Sequence, residues 1–267
     1  MKLLVQSDDY GITMGVSLGI IEAIKFGIVK NTGLFANMPW VEEVVDMIKP
    51  YLNDIAFGVD LNISTGPSIL SKDEIPSLVQ DNGNYLTSSM NRNLDNEEND
   101  FDHVIYEEVY KEFEAQIKRY IKLVGKKPDY LHAHAYTTKT VIEVSKDLSI
   151  KYQIPYSIQL FDHEEMASND MGWYIFPPTL ENQLKSSLKD YILEDKNKYL
   201  EHKYGALVCH CGYADSQLFN YSSFNLFRIK DLEAMQDSEV KEWLTNNNIE
   251  LITYKELEQL YIPLIKG

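Results

Sequence analysis

The feature that most constrains the fold is an alternation of short β-rich runs with longer amphipathic stretches along the 267-residue chain. Such a βα repeat favours a parallel sheet or barrel with helices on the outside. Runs typical of strands occupy residues 2–6, 28–37, 55–63, 130–134, 155–160, 206–210 and 249–253. Helical periodicity covers residues 15–26, 41–48 and 106–124. The sequence therefore predicts an α/β barrel, complete or incomplete, of about seven parallel strands.

One segment interrupts this alternation. Residues 64–102 are long for a connection, and their part 91–100 is polar and prone to turns. Loops of this length inside a compact domain are often lids or binding loops, although a disordered surface insertion fits the composition equally well. Because there is no internal repeat and no linker long enough to divide the chain, we expect a single domain over residues 1–267.

Charge and the start of the chain argue against several classes of protein. The net charge of −16 and the pI near 4.8 make nucleic acid or an anionic membrane unfavourable partners, because like charges repel. Between Lys2 and the charged Asp8 lie only Leu3 to Gln6 and Ser7. This stretch is too short for a signal peptide or a membrane span. We therefore expect a cytoplasmic protein, and its oligomeric state stays open, a homodimer included.

The two cysteines, Cys209 and Cys211, are separated by one residue. This spacing suits neither a disulfide framework nor a four-ligand zinc site. We expect both to be reduced thiols packed at the end of a strand.

Acidic and imidazole side chains are concentrated where the predicted strands end. In β/α barrels the chemistry lies beyond the carboxyl ends of the strands, so these side chains are the candidates for a site. They are Asp8, Asp9, Asp60, His132, His134 and His210.

The adjacent Asp8 and Asp9 cannot share one face of a regular strand, because successive side chains alternate. At the end of a strand, one carboxylate can face a metal ion and the other a substrate. The alternative is an Asx turn or a helix N-cap before Gly11. The apolar run that leads into the pair favours a site.

His132 and His134 are two residues apart and therefore lie on the same side of a strand. Together with Asp9 they can supply nitrogen and oxygen ligands to a divalent ion, with one imidazole as an outer partner. The alternative is a pair of hydrogen-bonded histidines in a polar core layer. His210 follows a later strand, and it is a stronger candidate because these acids and histidines follow other strands of the same sheet. Together, the acids and histidines predict a metal-dependent hydrolase.

Weaker candidates follow later in the chain. Asp215 and Arg228 can form a structural ion pair as easily as a substrate contact. The aromatic group Trp173, Tyr174 and Phe176 can be a wall for sugar stacking or a hydrophobic anchor for its loop, and we favour the anchor.

Four blocks of sequence, in order, resemble the YdjC-like carbohydrate deacetylases, a family that includes deacetylases of N-acetylglucosamine dimers. The blocks are Ser7-Asp-Asp-Tyr-Gly11, Thr32-Gly-Leu-Phe-Ala-Asn-Met-Pro39, Lys127-Pro-Asp-Tyr-Leu-His-Ala-His134 and Val208-Cys-His-Cys-Gly-Tyr-Ala-Asp215, followed by Arg228 and Asp231. The similarity spans almost the whole chain. It implies a distorted TIM-like (β/α) barrel of the glycoside hydrolase/deacetylase type.

The resemblance also implies an activity. The protein would remove the N-acetyl group from an N-acetylated sugar, such as a chitooligosaccharide or its phosphate, with the help of one divalent ion: Mg, Mn, Co or Zn. The implied roles are general base for Asp8, general acid or transition-state stabiliser for His210, metal ligation for Asp9, Asp60 and His134, and substrate binding for His132, Asp215 and Arg228.

Two positions depart from the family pattern. The family's Gly-Leu-His-Leu block is Gly58-Val-Asp60-Leu61 here, so Asp60 replaces a metal-binding histidine, and His132 stands where the family usually has aspartate. A second carboxylate still binds divalent ions but weakens their action as Lewis acids. The alternatives are therefore a non-catalytic sugar-binding relative and a hydrolase of a phosphorylated disaccharide; the second ranks lower because no Gly-rich phosphate loop is present.

Overall fold

The structure, a computed structural model, describes residues 1–96, 101–167 and 170–266. In these residues, strands pair in parallel in the order β4-β3-β2-β1-β6-β5, and β7 pairs with the beginning of β1. The strands are β1 (Lys2–Tyr10), β2 (Asn31–Leu34), β3 (Ala56–Leu61), β4 (Leu131–Ala133), β5 (Met166–Ala167), β6 (Tyr204–Cys209) and β7 (Glu250–Ile252).

Helices connect the strands and cover the sheet. They are α1 (Met14–Phe26), α2 (Val41–Ile48), α3 (Ser88–Leu94), α4 (Tyr106–Val124), α5 (Lys139–Tyr152), α6 (Ser157–Phe161), α7 (Leu180–Lys185), α8 (Leu188–Leu193), α9 (Leu218–Tyr221), α10 (Leu226–Gln236), α11 (Ser238–Asn246) and α12 (Glu258–Ile265). Short 3₁₀ helices occupy Lys49–Tyr51, Tyr199–Glu201 and Tyr254–Leu257. Within the described residues, no helix is long and apolar enough to cross a membrane.

The sheet confirms the predicted distorted barrel of about seven parallel strands. β3 and β6 are buried at every residue, as expected for parallel strands with both faces covered. The barrel is open between its outer strands, β4 and β5, which end the strand order. Cys209 and Cys211 are buried and free at the end of β6, as predicted.

Two predicted helices, α2 and α4, have the predicted bounds, and α1 begins at Met14, one residue earlier than expected. The Thr13 side chain caps α1 by accepting a hydrogen bond from the Val16 N–H. Gly125 ends α4 with a φ of 82°, a left-handed conformation that glycine adopts at no steric cost. Helical periodicity and the residues typical of helix ends were sufficient to predict these three helices.

The predicted strand over residues 155–160 is wrong. Tyr156 forms a single parallel bridge with Leu131, and the chain then turns into α6. α6 buries Ser157 and Leu160, which are one helical turn apart. A short apolar run cannot be assigned to strand or buried helix from periodicity alone. The fifth strand is instead Met166–Ala167, which is too short to give a periodic signal.

The segment 64–102, predicted to be a loop, contains α3 and three isolated bridges, which argues against a disordered insertion. It is fastened to α4 by Glu112, whose carboxylate accepts hydrogen bonds from the Ile69 and Leu70 N–H groups. Glu108 accepts a further bond from the Ser77 N–H. Residues 97–100 of the predicted lid lie outside the described residues.

Candidate active site

A cavity of about 1090 Å³ opens beyond the carboxyl ends of the strands. It brings together five of the six strand-end candidates and Arg228. The predicted residues in its wall are Asp8, Asp9, His132, His134, His210 and Arg228. Asp60 and Asp215 are not among the described residues that line it.

Both aspartates of the first motif reach the cavity because β1 is irregular there. β1 continues to Tyr10 instead of ending at Gln6, and its register against β2 shifts between Ser7 and Tyr10. Asp9 has a φ of 71°, in the left-handed region that aspartate tolerates better than most residues. This turn breaks the alternation of side chains and explains how neighbours can serve one site.

Asp8 belongs to a chain of buried polar contacts below the cavity. Its Oδ1 accepts a hydrogen bond from Gln6 Nε2 at 2.5 Å, and its Oδ2 lies 3.2 Å from His132 Nε2. The other ring nitrogen of His132 lies 2.6 Å from Ser157 Oγ. Tyr254 donates its hydroxyl proton to Gln6 Oε1 at 2.5 Å. The Asp8 carboxylate is therefore fixed at both oxygens.

The Asp8–His132 contact is an ion pair at neutral pH. Burial opposes ionisation of Asp8, but the charge and hydrogen bond of His132 outweigh it and lower the pKa of this carboxyl. Burial also opposes protonation of His132, yet Asp8, Asp60 and Asp9 raise its pKa to about 9. His132 thus contacts Asp8 rather than standing free for substrate, although it lines the cavity.

Asp9 lies between an imidazole and a guanidinium. His134 Nδ1 is 2.8 Å from Asp9 Oδ1, and Arg228 donates from Nη2 to Asp9 Oδ2 at 2.5 Å. Burial would raise the pKa of Asp9, but these two partners hold it well below its usual range. Arg228 therefore forms its ion pair with Asp9 and not with Asp215. Its Nη1 is buried without a hydrogen-bond partner in the described structure, and substrate binding by Arg228 stays a prediction.

The Asp9–His134 pair fits a divalent ion. Metal–ligand bonds of about 2.0–2.2 Å place neighbouring ligand atoms about 3 Å apart, close to the separation of Oδ1 and Nδ1. Apart from its 2.8 Å contact with His134 Nδ1, the buried Asp9 Oδ1 has no hydrogen-bond partner among the described residues. Within residues 1–96, 101–167 and 170–266, however, no group of three or more His, Cys, Asp or Glu side chains is arranged to hold a metal ion. The fit is thus to an ion held by two protein ligands, with water or substrate at the other positions.

Asp60, the third ligand implied by the resemblance, is placed differently. It lies opposite His132 in the β3–β4 register, and its Oδ2 accepts a hydrogen bond from the Asp9 N–H at 2.8 Å. Its Oδ1 packs against Gly33, where a Cβ atom would lie only 1.8 Å away. Burial and the neighbouring Asp8 raise its pKa well above the usual range. Asp60 Oδ1 has no hydrogen-bond partner among the described residues, and Asp60 as a metal ligand stays a prediction.

Asp215 supports the backbone near the site. Its Oδ2 accepts a hydrogen bond from the Gly15 N–H at 2.7 Å, and its Oδ1 accepts one from the Leu218 N–H at 2.9 Å. These bonds join the beginning of α1 to α9. Substrate binding by Asp215 stays a prediction, since each carboxylate oxygen can accept a second hydrogen bond.

His210 is supported by two residues that were not predicted as part of the site. Tyr174 donates its hydroxyl proton to Asp231 Oδ2, and the same oxygen accepts the His210 N–H at 2.9 Å. His210 Nδ1 lies 3.0 Å from the Tyr174 oxygen. Because Tyr174 has one proton and gives it to Asp231, His210 must donate from Nδ1, which leaves Nε2 unprotonated.

The charges of this group are set by burial. Burial lowers the pKa of His210 to about 4 and raises the pKa of Asp231 to about 6. At neutral pH His210 is therefore a neutral imidazole, and Asp231 is ionised. A sequence signal for Asp231 did exist, since it lies three residues after Arg228 and so on the same face of a helix.

A family model described as "YdjC-like protein" matches residues 2–246. Among curated relatives, carbohydrate deacetylase 2 of Listeria innocua is 28% identical over 260 residues, which cover 96% of this chain and 99% of the relative. A carbohydrate deacetylase of Enterococcus faecalis is also 28% identical, and the match covers 96% of this chain and 98% of the relative.

Solved structures agree with the fold. An Enterococcus faecalis protein, described as a proposed cellobiose-phosphate cleavage protein, has a TM-score of 0.79 at 27% identity, with 96% of this chain and 98% of that chain covered. A family 4 acetyl xylan esterase of Clostridium thermocellum, solved with a cobalt ion, has a TM-score of 0.50 at 10% identity, with 97% and 91% covered. The second likeness concerns the fold alone.

Proposed function

The chain belongs to the family of YdjC-like proteins, and from this premise we propose that it is a metal-dependent deacetylase of N-acetylated sugars, such as a chitooligosaccharide or its phosphate. The observation that carries the proposal is the convergence of Asp8, Asp9, His134 and His210 on one cavity. A binding module needs no ionised carboxylate beside a candidate ion site. The names of the curated relatives support the same reaction.

Asp9 and His134 would hold the divalent ion, and one carboxylate oxygen with one imidazole nitrogen suits Mg, Mn, Co or Zn. When bound, such an ion supplies a Lewis acid for the N-acetyl carbonyl. Arg228 keeps the second oxygen of Asp9 occupied, so this carboxylate offers Oδ1 alone. Asp60 enters the ligand set only as a proposed third member.

Asp8 would act as the general base. A water molecule attacks the carbonyl carbon of the N-acetyl group, and Asp8 takes one proton from it. His132 keeps Asp8 ionised, and Gln6 fixes its orientation, so the base is charged before the substrate arrives. Such preorganisation avoids a reorganisation cost during the reaction.

His210 would complete the proton transfer. The proton that Asp8 takes from the water would pass to the unprotonated Nε2 of His210 and from there to the amine nitrogen, because an imidazolium with a pKa of about 4 gives its proton up readily. The carbon–nitrogen bond then breaks as the amine leaves with the proton. The products are acetate and an amino sugar.

The test is a metal-replete assay for acetate release across N-acetylglucosamine, its dimers and trimers, and their 6-phosphates. Acetate formation that is lost with a chelator and restored by a divalent ion is the expected result. Disaccharide cleavage without acetate would favour the reaction proposed for the Enterococcus faecalis structure. Sugar binding without any product would indicate a non-catalytic relative.

A further inference from the structure

The turn that follows β4 carries backbone strain beside a proposed metal ligand. Ala135, directly after His134, has a φ of 55°, in the left-handed region that residues with a Cβ atom rarely adopt. The Tyr136 N–H donates a hydrogen bond to the His134 carbonyl oxygen, two residues earlier, at 2.6 Å. A hydrogen bond of this span around a positive φ forms a γ-turn that is rare and strained. Such a conformation persists only where surrounding contacts fix it.

Two side chains of the 64–102 segment supply contacts to this turn, and we call them the clasp: Arg92 and Asp95. Arg92, in α3, donates from Nη2 to the Ala135 carbonyl oxygen at 2.7 Å. Asp95 directly follows α3, and its Oδ1 and Oδ2 lie 2.8 and 2.7 Å from the hydroxyl oxygen of the buried Tyr136, which donates to this carboxylate. The clasp therefore holds Ala135 by its backbone and Tyr136 by its side chain.

The clasp is itself fixed within its own part of the chain. Asp95 Oδ1 also accepts a hydrogen bond from the His103 N–H at 3.0 Å, and His103 Nε2 lies 2.8 Å from Asn91 Oδ1. Asn91 is fully buried in α3 and donates from Nδ2 to the Leu86 carbonyl oxygen at 3.1 Å. These bonds join α3 to the chain before and after it, so the clasp has a defined position before any ligand binds.

His134 is held on both sides of its Cα atom. Its N–H donates to the Leu61 carbonyl oxygen at 2.9 Å, so β3 fixes the preceding backbone, whereas the γ-turn fixes its carbonyl group. Its ring contacts Asp9 Oδ1 through Nδ1 at 2.8 Å and lies edge-on to the Phe35 ring, with 4.6 Å between centroids. Because a side chain leaves the backbone between the N–H and the carbonyl group, both groups must be fixed for the ring to keep its place.

We propose that Arg92 and Asp95 are positioning residues for His134: by holding the γ-turn, they keep the imidazole beside Asp9, where it can bind the divalent ion. The inference rests on the proposed function, because it takes His134 as a metal ligand. The clasp acts through the backbone of the turn and touches neither the ion nor the substrate. Since Arg92 also lines the cavity, the other role open to it is a direct contact with the substrate, and the experiment separates the two.

The experiment uses two measurements that do not depend on turnover. The first is the affinity of the metal-free protein for Co²⁺ by calorimetry, and the second is the NMR signal of the His134 imidazole in the metal-free protein. The variants are Arg92→Ala, Ala135→Gly and the two combined. Arg92 is exposed, so its replacement leaves the core intact. The matched control is Lys72→Ala, because Lys72 is a cation of the same segment that pairs with Asp81 and is not among the described residues that line the cavity.

We expect Arg92→Ala to weaken Co²⁺ binding about tenfold, the scale of one hydrogen bond from a charged group, and to shift the His134 signal. Ala135→Gly should restore most of the affinity in the Arg92→Ala background, because glycine adopts a positive φ at no steric cost and needs no clasp. Lys72→Ala should change neither measurement. Tyr136→Phe removes the hydroxyl that Asp95 accepts and should also weaken Co²⁺ binding; unchanged affinity there would overturn the role of Asp95.

Several results would contradict the inference. Unchanged Co²⁺ affinity and an unchanged His134 signal in Arg92→Ala would overturn it, and a higher KM for the sugar in that variant would then make Arg92 a substrate contact. A loss of affinity that Ala135→Gly does not restore would also overturn it, since the turn would not be the link. If the unmodified protein bound no Co²⁺, the proposed function would fail, while the His134 signals of the metal-free variants would still decide whether the clasp positions this ring.

Discussion

At the scale of single residues, the two aspartates of the first motif are neighbours with different partners. Asp8 is paired with His132 and Gln6, whereas Asp9 is paired with His134 and Arg228. The left-handed conformation of Asp9 makes this separation possible. Substitutions of Asp8 and of Asp9 should therefore have different effects on the protein.

Asp9→Asn should lower bound divalent metal strongly, because a neutral amide oxygen is a weaker ligand than a carboxylate. Asp8→Asn should retain the metal but lose turnover, because an amide cannot accept the proton of water. Both substitutions preserve shape, but Asp9→Asn leaves the buried Arg228 without its ion-pair partner, so the folding of each variant is checked by circular dichroism. Metal content after dialysis, measured by elemental analysis beside the rate of acetate release, distinguishes them. If Asp8→Asn were the variant that lost metal, the two roles would be reversed.

His210→Ala should reduce the rate by about 10²-fold or more, the usual effect of removing a positioned proton donor. Its metal content should stay near that of the unmodified protein. Tyr174→Phe keeps the ring but removes the hydroxyl that fixes the His210 tautomer, so its rate should fall less and its pH profile should shift. Unchanged turnover in His210→Ala would remove this residue from the mechanism.

The sequence identified the acids and imidazoles of the site because parallel strands carry their polar residues to one end. It did not identify Gln6, Ser157 or Tyr254. Tyr254 meets Gln6 across 248 positions of the chain, and Ser157 meets His132 across 25. Each has an ordinary residue type and no spacing that marks a site. Only the folding of the whole chain brings them together.

At the scale of elements, the 64–102 segment depends on α4 for its position. The Glu112 carboxylate is buried and also accepts the hydroxyl proton of Tyr85, in addition to its two backbone bonds. Helical periodicity predicted α4, but not that a buried acid on its inner face would hold a neighbouring segment. The expected loop is structured because its backbone finds these partners.

Glu112→Ala should loosen this segment, since two backbone N–H groups lose their acceptor at a cost of about 1–3 kcal/mol each if they stay buried. Amide hydrogen exchange should increase in residues 66–86, and the KM for a sugar should rise more than kcat falls. Glu107→Ala, at an exposed position of the same helix, is the control and should change neither. Unaltered exchange in Glu112→Ala would mean that other contacts fix the segment.

At the scale of the whole molecule, the alternation of βα units was sufficient to predict the barrel, because it repeats along the entire chain. Local errors at 155–160 and 166–167 did not change the result, since Met166–Ala167 supplies the fifth of the seven parallel strands in place of the predicted one. The single domain, the homodimer and the cytoplasmic location stay predictions. No periodicity in a sequence encodes how copies of a chain meet.

The free energy of unfolding should depend on pH because of Asp231. Burial raises the pKa of this carboxyl from 3.8 to about 6, so the folded state binds its proton more tightly than the unfolded chain does between these values. The free energy of unfolding contributed by Asp231 therefore falls as the pH rises through this window, by up to about 3 kcal/mol. Above pH 6 the loss is complete.

Asp231→Asn has no proton to lose, so its free energy of unfolding should vary less between pH 4 and pH 7 than that of the unmodified protein. At pH 4 the variant should be the less stable of the two, because an amide cannot accept from Tyr174, Trp173 and the His210 N–H at once. With rising pH this difference should shrink. Urea unfolding at several pH values measures it, with Asp73→Asn at an exposed position as the control. A difference that stays constant across this range would mean that Asp231 is ionised throughout, and that its bonds to Tyr174 and His210 outweigh its burial.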